Sequence, residues 1–263
     1  MVEAAFLPPL DTGADVYRRR IVVRERSPGE VECSLQDDFH HFVVTITHSA
    51  ERVLDVAVES VRWPWATCPD AAVGLLDLRA MPLSPRFTDA ARFANPRLCC
   101  THQFDAAAHA ITHAAGRLTG RRPLAARQYD CEIGAHLGTP GAPSRNRVWV
   151  DGELALEWRV QPGVGIVDPA PPFDAAPWRG GFMQWADRTL DAEPAEAAIV
   201  LRRACDIGMG RGMDLDAIPV ADQLPQMMAG ICHTMQPQVV HVAIRHVGSI
   251  RDFARAPERL LTD

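Results

Sequence analysis

Lysine is absent from this sequence, and all 27 of its basic side chains are arginines. Because an imine between enzyme and substrate needs a lysine amine, Schiff-base catalysis and attachment of pyridoxal phosphate are excluded. A C-x-x-C pair, a G-x-S-x-G elbow and a glycine-rich loop that opens a helix after a strand are absent as well. The sequence therefore gives no support for a zinc ribbon, a thioredoxin-type dithiol, an α/β serine hydrolase or a nucleotide-binding fold.

Long hydrophobic runs are also missing. No apolar run approaches the roughly 20 residues of a membrane span, and the start, MVEAAFLPPLDTG, lacks the basic and then apolar segments of a signal peptide. The net charge of −6 offers no basic surface to nucleic acid. We therefore expect a cytoplasmic protein that binds a small molecule, with its seven cysteines mostly buried as free thiols; a homo-oligomer is compatible with the sequence.

About six antiparallel strands are predicted, in two groups. They are marked by β-branched residues and partial alternation, and two of them form a hairpin with Asp151-Gly152 as its turn. The strands lie at RRRIVVRERS (18–27), as two within HFVVTITHSAERVLDVAVESVRWPW (41–65) around a turn at 49–52, at ARQYDCEIGAHL (126–137), and at NRVWV and ELALEWRV (146–160). The segment GEVECSLQDDF (29–39) follows the first of them.

Helical segments separate and follow the two strand groups. They are predicted at 69–81, at 98–118 and, after a Pro/Gly-rich loop at about 160–181, through the C-terminal part. The order of strands, helices, strands and helices, without short βαβ crossovers, predicts an α+β fold with one antiparallel sheet packed against several helices. We expect an N-terminal arm at 1–16 and a single α+β domain at 17–263.

The segment LCCTHQFDAAAHAITHAAGRL (98–118) contains three of the ten histidines. With about 100° per residue, His102, His109 and His113 fall on one side of a helix, opposite an apolar stripe that includes Phe104 and Ile111. Such a side is either solvated or lines a cavity. Its neighbours are alanines and a threonine rather than long charged side chains, which favours a cavity in which imidazoles transfer protons near neutral pH.

The segment QDDFHHF (36–42) carries two aspartates and two further histidines. On a strand, His40 and His41 point to opposite faces, so at most one of them can enter a given pocket. Asp37 and Asp38 either orient a histidine, as carboxylates do in catalytic pairs, or form a turn.

Several other side chains are candidates for contacts with a flat organic ligand. Trp63 and Trp65 share a face if their strand continues past the intervening proline, and plain core packing is the alternative. Arg127 and Tyr129 share one face of a strand, where the arginine either stabilises a phenolate or simply packs. His233 lies in GICHTMQ, which is predicted to be helical.

Six motifs in a fixed order resemble a bacterial family known only as a domain of unknown function: DDFHHF, RWPWATCPDAA, MPLSPRF, CTHQFDAAAHA, GICHTMQP and GSIRDF. The resemblance extends from about residue 18 to 255 and is clearest up to CTHQFD. It implies a role beside enzymes that break down aromatic carbon sources, and the family is similar to lyases that remove formaldehyde from lignin-derived aromatic dimers. The positions carried over are His41, Cys68, Cys100, His102, Asp105, Cys232 and His233.

The residues and the resemblance together favour a cofactor-independent lyase that breaks a carbon–carbon bond of a phenolic substrate by acid–base chemistry. His102 or His41 is the predicted base, and Asp105 is predicted to orient it. No metal ligand is assigned. The predicted site residues are His41, His102, Asp105 and Tyr129 for catalysis and Trp63, Trp65, Arg127 and His233 for substrate binding.

Two other functions stay open. A metal-dependent hydrolase or lyase would take its ligands from His102, His109, His113 and His41, because histidines four residues apart on a helix can chelate an ion. A non-enzymatic small-molecule-binding protein would bind its ligand and turn nothing over. Metal content before and after a chelator distinguishes the metalloenzyme from the lyase, and turnover distinguishes both from the binding protein.

Overall fold

The structure is a computed structural model that describes residues 16–116, 125–134 and 142–262. Its strands are β1 (Val16–Ser27), β2 (Glu30–Asp37), β3 (His41–His48), β4 (Val53–Arg62), β5 (Ala126–Gly134), β6 (Ser144–Val150), β7 (Glu153–Gln161) and β8 (Gly165–Ile166). These eight strands form one sheet in the order β4-β3-β2-β1-β5-β6-β7-β8. The pairs β2–β3, β3–β4, β5–β6, β6–β7 and β7–β8 are antiparallel, which confirms the predicted fold class. The predicted arm at 1–16 lies outside the described residues except for Val16.

The predicted number of strands, about six, is wrong. The additional strands are β2, in the segment after the first predicted strand, and β8, inside the predicted loop at 160–181. In β2, Val31, Cys33 and Leu35 are buried and alternate with more exposed polar residues, a period-two pattern that the glutamates and serine obscure in the sequence. The strand β8 has two residues, too few to carry any alternation.

Both predicted turns are present. β3 and β4 are joined through 49–52, where the Ser49 hydroxyl oxygen accepts hydrogen bonds from the N–H groups of Glu51 and Arg52. β6 and β7 are joined by Asp151 and Gly152, with φ of 51° and 87°. Positive φ at both positions is what a two-residue hairpin turn requires, because its twist then matches that of the strands.

In the described parts of the chain, three α-helices accompany the sheet: α1 (Thr101–Gly116), α2 (Phe182–Thr189) and α3 (Ala192–Gly208). Within the described residues, none of the helices combines the length and hydrophobicity needed to cross a bilayer. The helix predicted at 69–81 is a 3-10 helix over Pro69–Leu78. Beyond α3 the predicted helices are wrong, because the helical turns between residues 209 and 262 are 3-10 turns of three or four residues, and Val220 and Ile244 form an isolated β-bridge. Pro219, Pro225 and Pro237 interrupt this part of the chain, and each disfavours helical backbone at the residue before it.

The described residues divide into two compact units, each made of separate stretches of chain. One contains residues 16–20, 127–134, 142–212 and 252–262, and the other contains 21–116, 125–126 and 213–251. We call them the α3 unit and the α1 unit after the helices they contain. The prediction of a single domain at 17–263 is not decided by this division and stays a prediction.

The helix α1 is buried on nearly all sides within its unit, where it packs against β2 and β3. His102 and His109, which the helical wheel leaves either solvated or facing a cavity, have 5% and 3% of their surface exposed. The solvated interpretation is therefore wrong for these two residues. Alanines line much of the helix, and their small side chains let it lie close to the sheet.

Candidate functional site

A tight turn between β2 and β3 presents the first part of the site. The Asp37 carboxylate is fully buried, and its Oδ1 accepts hydrogen bonds from the N–H groups of Phe39 and His40, each at 2.8 Å. The same oxygen lies 3.0 Å from Nδ1 of His40. An aspartate that binds the backbone two and three residues ahead of it stabilises a turn locally, which is why the chain reverses here.

Arg62, the last residue of β4, fixes this turn from behind. Its guanidinium donates to the carbonyl oxygens of Asp37 (2.6 Å), Asp38 (3.0 Å), His40 (3.1 Å) and Ser249 (2.9 Å). The fork of N–H groups on arginine suits several acceptors in one plane, and a lysine ammonium could not satisfy all four carbonyls in the same way. Arg62 thus ties the turn both to β4 and to the C-terminal part of the α1 unit.

His102, in the first turn of α1, completes a cluster with Asp37 and His40 that we call the Asp–His–His cluster. Its Nε2 lies 3.7 Å from Oδ2 of Asp37, and its side chain is 6% exposed. The rings of His102 and His40 are stacked, with centroids 3.6 Å apart and planes inclined by 24°. Phe42 lies beside both rings, at 6.0 Å from His40 and 6.4 Å from His102.

Cys100, which precedes α1, lies on the other side of the His102 ring. Its Sγ is 3.9 Å from Nδ1 of His102. Burial raises the pKa of the Cys100 thiol well above its ordinary value, and the nearby thiols of Cys68 and Cys232 raise it further. The backbone N–H groups of Gln103 and His102 act in the opposite direction without compensating. The thiol is therefore neutral at physiological pH.

An apolar cluster adjoins these groups within the α1 unit. Trp65 is buried in it, and Trp63 packs against it while its ring lies 5.4 Å from that of His246. The two tryptophans do not share a strand face, because β4 ends at Arg62. The buried members are Phe42, Trp65, Cys68, Ala71, Cys100, Ala221, Leu224, Met235 and Ala243.

His233 contributes to the same region through its backbone. Its N–H donates to the carbonyl of Cys99 at 3.0 Å, and it begins a three-residue 3-10 turn after an extended Cys232. The predicted helix is therefore wrong here. The hydroxyl of Thr234 lies 3.0 Å from that of Thr67 and 3.7 Å from the Cys68 sulfur, so this segment is held against the residues that follow β4.

The predicted site residues are brought together only in part. His41 is buried at the start of β3 and Asp105 is buried in α1, and their predicted catalytic roles stay predictions. Tyr129 and Arg127 belong to the α3 unit, where the Tyr129 hydroxyl donates to Oε2 of Glu196 at 2.7 Å. Burial and the Glu196 carboxylate raise the pKa of Tyr129 well above its ordinary value.

The metal ligands proposed from the sequence, His102, His109, His113 and His41, do not converge. In the described parts of the chain, the group whose ligand atoms lie within 4.8 Å of one another is Asp37, His40 and His102. His109 instead packs against Phe87, with ring centroids 4.8 Å apart. The sequence did carry a signal for the turn, since an aspartate at a strand end commonly accepts a hydrogen bond from the backbone two residues on, but no local pattern indicates that His102 joins it.

Comparison with known proteins does not identify a function for this chain. No family model matches the chain, and no curated protein matches it. The functional argument therefore rests on the geometry of the Asp–His–His cluster and its surroundings.

Proposed function

We propose that the protein is an acid–base lyase that acts on an aromatic, phenolic substrate, with His102 as its base and Asp37 as the carboxylate that orients it. The observation that carries this proposal is the buried pair formed by the two side chains, whose Nε2 and Oδ2 atoms lie 3.7 Å apart. Imidazole is the side chain whose proton exchange is best matched to neutral pH. The proposed class of reaction comes from the sequence resemblance to a family that is similar to formaldehyde-releasing lyases.

The carboxylate supports the imidazole in two ways. It fixes the orientation of the ring, and its negative charge stabilises the imidazolium that forms when His102 accepts a proton. A separation of 3.7 Å is longer than a hydrogen bond. Catalytic pairs are often long in the absence of substrate and shorten when it binds, so the distance fits a pair that is completed by its ligand.

The neutral state of Cys100 favours this chemistry over covalent catalysis. A cysteine nucleophile must be a thiolate, and burial holds the pKa of this thiol high. The His102 imidazole, which lies between Cys100 and Asp37, is therefore proposed to move the proton. The proposed mechanism requires no bound cofactor.

In the proposed reaction, the base removes the proton from a primary alcohol of the substrate side chain. The carbon–carbon bond to that alcohol carbon then breaks and formaldehyde leaves. The electron pair of the broken bond passes into a quinone-methide-like system, created earlier by loss of a leaving group, and restores the aromatic phenol. Phe42 and Cys100, two members of the apolar cluster, lie beside His102, and apolar surroundings of this kind suit an aromatic substrate.

The test is a formaldehyde assay with aromatic dimers that carry a primary alcohol. We expect turnover by the unmodified protein and a decrease in kcat of about 10²–10⁴-fold in His102→Gln, which is the usual contribution of a general base. Asp37→Asn should also lower kcat, because the amide cannot stabilise the imidazolium. Circular dichroism of each variant confirms that it is folded.

His109→Gln is the matched control, since His109 is also buried in α1 but lies against Phe87. Its turnover should stay close to that of the unmodified protein. His41→Gln and Asp105→Asn test the other predicted catalytic residues in the same assay. Normal turnover by a folded His102→Gln variant would remove His102 as the base and the proposal with it.

A further inference from the structure

We propose that Asp37, His40 and His102 bind a divalent transition-metal ion. Each of the three side chains offers one ligand atom, and these atoms lie within 4.8 Å of one another. No other group of three or more histidine, cysteine or carboxylate side chains in the described residues meets this condition. The inference rests on the site of the proposed function but not on the proposed reaction, because ion binding is measured without substrate.

The distances suit ligands of a single ion. Nδ1 of His40 lies 3.0 Å from Oδ1 of Asp37, and Nε2 of His102 lies 3.7 Å from Oδ2 of the same carboxylate. Ligand atoms around a tetrahedral zinc ion lie about 3.3 Å apart, given zinc–nitrogen distances near 2.0–2.1 Å. The two observed separations bracket this value, but they run to different oxygens of the carboxylate, and the stacked rings lie in nearly parallel planes. Binding of one ion therefore requires the two imidazole rings to rotate until both nitrogens face it.

The surroundings hold the ligands in place before any ion binds. The turn that carries Asp37 and His40 is fixed by two backbone N–H groups on Oδ1 and by the Arg62 guanidinium on its carbonyls. The second nitrogen of His102 faces the Cys100 sulfur, which helps to set the orientation of the ring. Metal sites depend on such supporting contacts, whose removal commonly lowers metal affinity 10–100-fold.

The ligand set defines the class of ion. Two imidazole nitrogens and one carboxylate oxygen suit Zn²⁺, Co²⁺, Ni²⁺ or Fe²⁺, whereas Mg²⁺ and Ca²⁺ prefer oxygen ligands. Three protein ligands leave coordination positions open, as in catalytic rather than structural zinc sites. An ion on Nε2 of His102 confines the proton to Nδ1, so the imidazole loses the lone pair that a base needs. The ion-loaded protein should therefore be inactive in the proposed acid–base reaction.

The binding test is a titration of chelator-treated protein with Co²⁺, followed by visible absorption. We expect saturation at one equivalent, displacement by Zn²⁺, no effect of Mg²⁺, and no near-ultraviolet charge-transfer band, because the ligand set contains no thiolate. Asp37→Asn, His40→Gln and His102→Gln should each weaken binding at least 10-fold, while His109→Gln, which lies against Phe87, retains it. A lack of saturable Co²⁺ binding by the unmodified protein, or full affinity in folded His102→Gln, overturns the site.

Formaldehyde release by chelated and Zn²⁺-loaded protein separates this inference from the proposed function. An active chelated form and an inactive loaded form support both. Stoichiometric binding with turnover only in the loaded form supports the metal site and overturns the cofactor-independent reaction. Turnover by chelated protein that binds no Co²⁺ overturns the metal site alone.

Discussion

Arg62 joins the turn of Asp37 and His40 to β4 and to Ser249 within the α1 unit. Four of its hydrogen bonds run to backbone carbonyl oxygens of Asp37, Asp38, His40 and Ser249. We expect Arg62→Lys to lower the free energy of unfolding by about 2 kcal/mol, because a charged donor contributes roughly 1.5–3 kcal/mol and the ammonium cannot reach all the acceptors. Urea unfolding measures the change.

Arg52→Lys is the control for this variant. Arg52 precedes β4 and leaves 56% of its side chain exposed, so the substitution should change stability by less than about 0.5 kcal/mol. In Arg62→Lys both the turnover and the Co²⁺ affinity should fall, because the turn carries Asp37, which belongs to the proposed catalytic pair and is also a proposed metal ligand. Equal stability of the two variants would contradict the role assigned to Arg62.

At the scale of residues, the sequence predicts which chemistry is available better than which side chains meet. His102 was identified from the wheel of α1, and Asp37 was recognised as either a turn residue or an orienting carboxylate. The structure shows Asp37 as a turn residue, and the orienting role stays a proposal that depends on its Oδ2 lying 3.7 Å from Nε2 of His102. His40 was not chosen over His41, because strand alternation says that they diverge without saying which one faces the helix. That choice depends on packing between α1 and the β2–β3 turn, which no local pattern contains.

The hairpin of β1 and β2 depends on Gly29, whose φ is 83°. A Cβ at this position would lie 2.9 Å from the carbonyl oxygen of His48, which is backbone and cannot swing away. We therefore expect Gly29→Ala to lower the free energy of unfolding by about 1–3 kcal/mol, as left-handed backbone does for residues other than glycine. Chemical denaturation measures the shift.

Gly180→Ala provides the comparison, since no atom lies within 4 Å of an added Cβ there. Its stability should stay within about 0.5 kcal/mol of the unmodified protein. If both glycine variants unfold at the same denaturant concentration as the parent, the turn does not have the strain assigned to it.

At the scale of elements, the predictions were confirmed where a few adjacent residues determine the backbone conformation themselves. The turn at 49–52 and the Asp151-Gly152 hairpin were predictable because their residues themselves favour the required backbone. The C-terminal part was mispredicted because its apolar residues recur at helical spacing, although Pro225 and Gly230 prevent a continuous helix. In the structure, apolar residues of the C-terminal part lie on short turns and pack into the apolar cluster that contains Trp65.

At the scale of the whole molecule, the ionisation of Tyr129 makes the free energy of unfolding depend on pH in the alkaline range. Folding raises its pKa through burial and through Glu196, so the folded state favours the neutral phenol. Its contribution is intact below the pKa of an unfolded tyrosine, about 10, and is lost as pH rises above that value. Stability should therefore fall by up to about 1.4 kcal/mol per pH unit for this group.

Urea unfolding between pH 8 and pH 11 measures this slope for the parent and for Tyr129→Phe. The variant should show a shallower loss above pH 10, because it has one fewer group to ionise on unfolding. Buried thiols such as Cys68, whose pKa burial raises to about 12, add to the slope in both proteins and cancel in the comparison. Parallel curves would show that Tyr129 does not carry the effect.

The division into two units was not predictable from composition, because the chain enters each of them more than once. Arg127 and Tyr129 were grouped with the histidines by residue type alone, whereas the structure places them in the α3 unit. Assigning a residue to a unit requires knowing where distant stretches return, and no short motif encodes that.

The return of residues 213–251 to the α1 unit has a consequence during protein synthesis. A nascent chain that ends at Gly212 already contains Asp37, His40 and His102. It still lacks the Ser249 carbonyl that Arg62 binds and the Arg251 N–H that donates to the carbonyl of Asp38 at 2.8 Å. The ribosome must therefore release the chain as far as Arg251 before the Asp–His–His cluster acquires these contacts, and a product that ends before Ser249 would hold the three side chains in a less constrained turn.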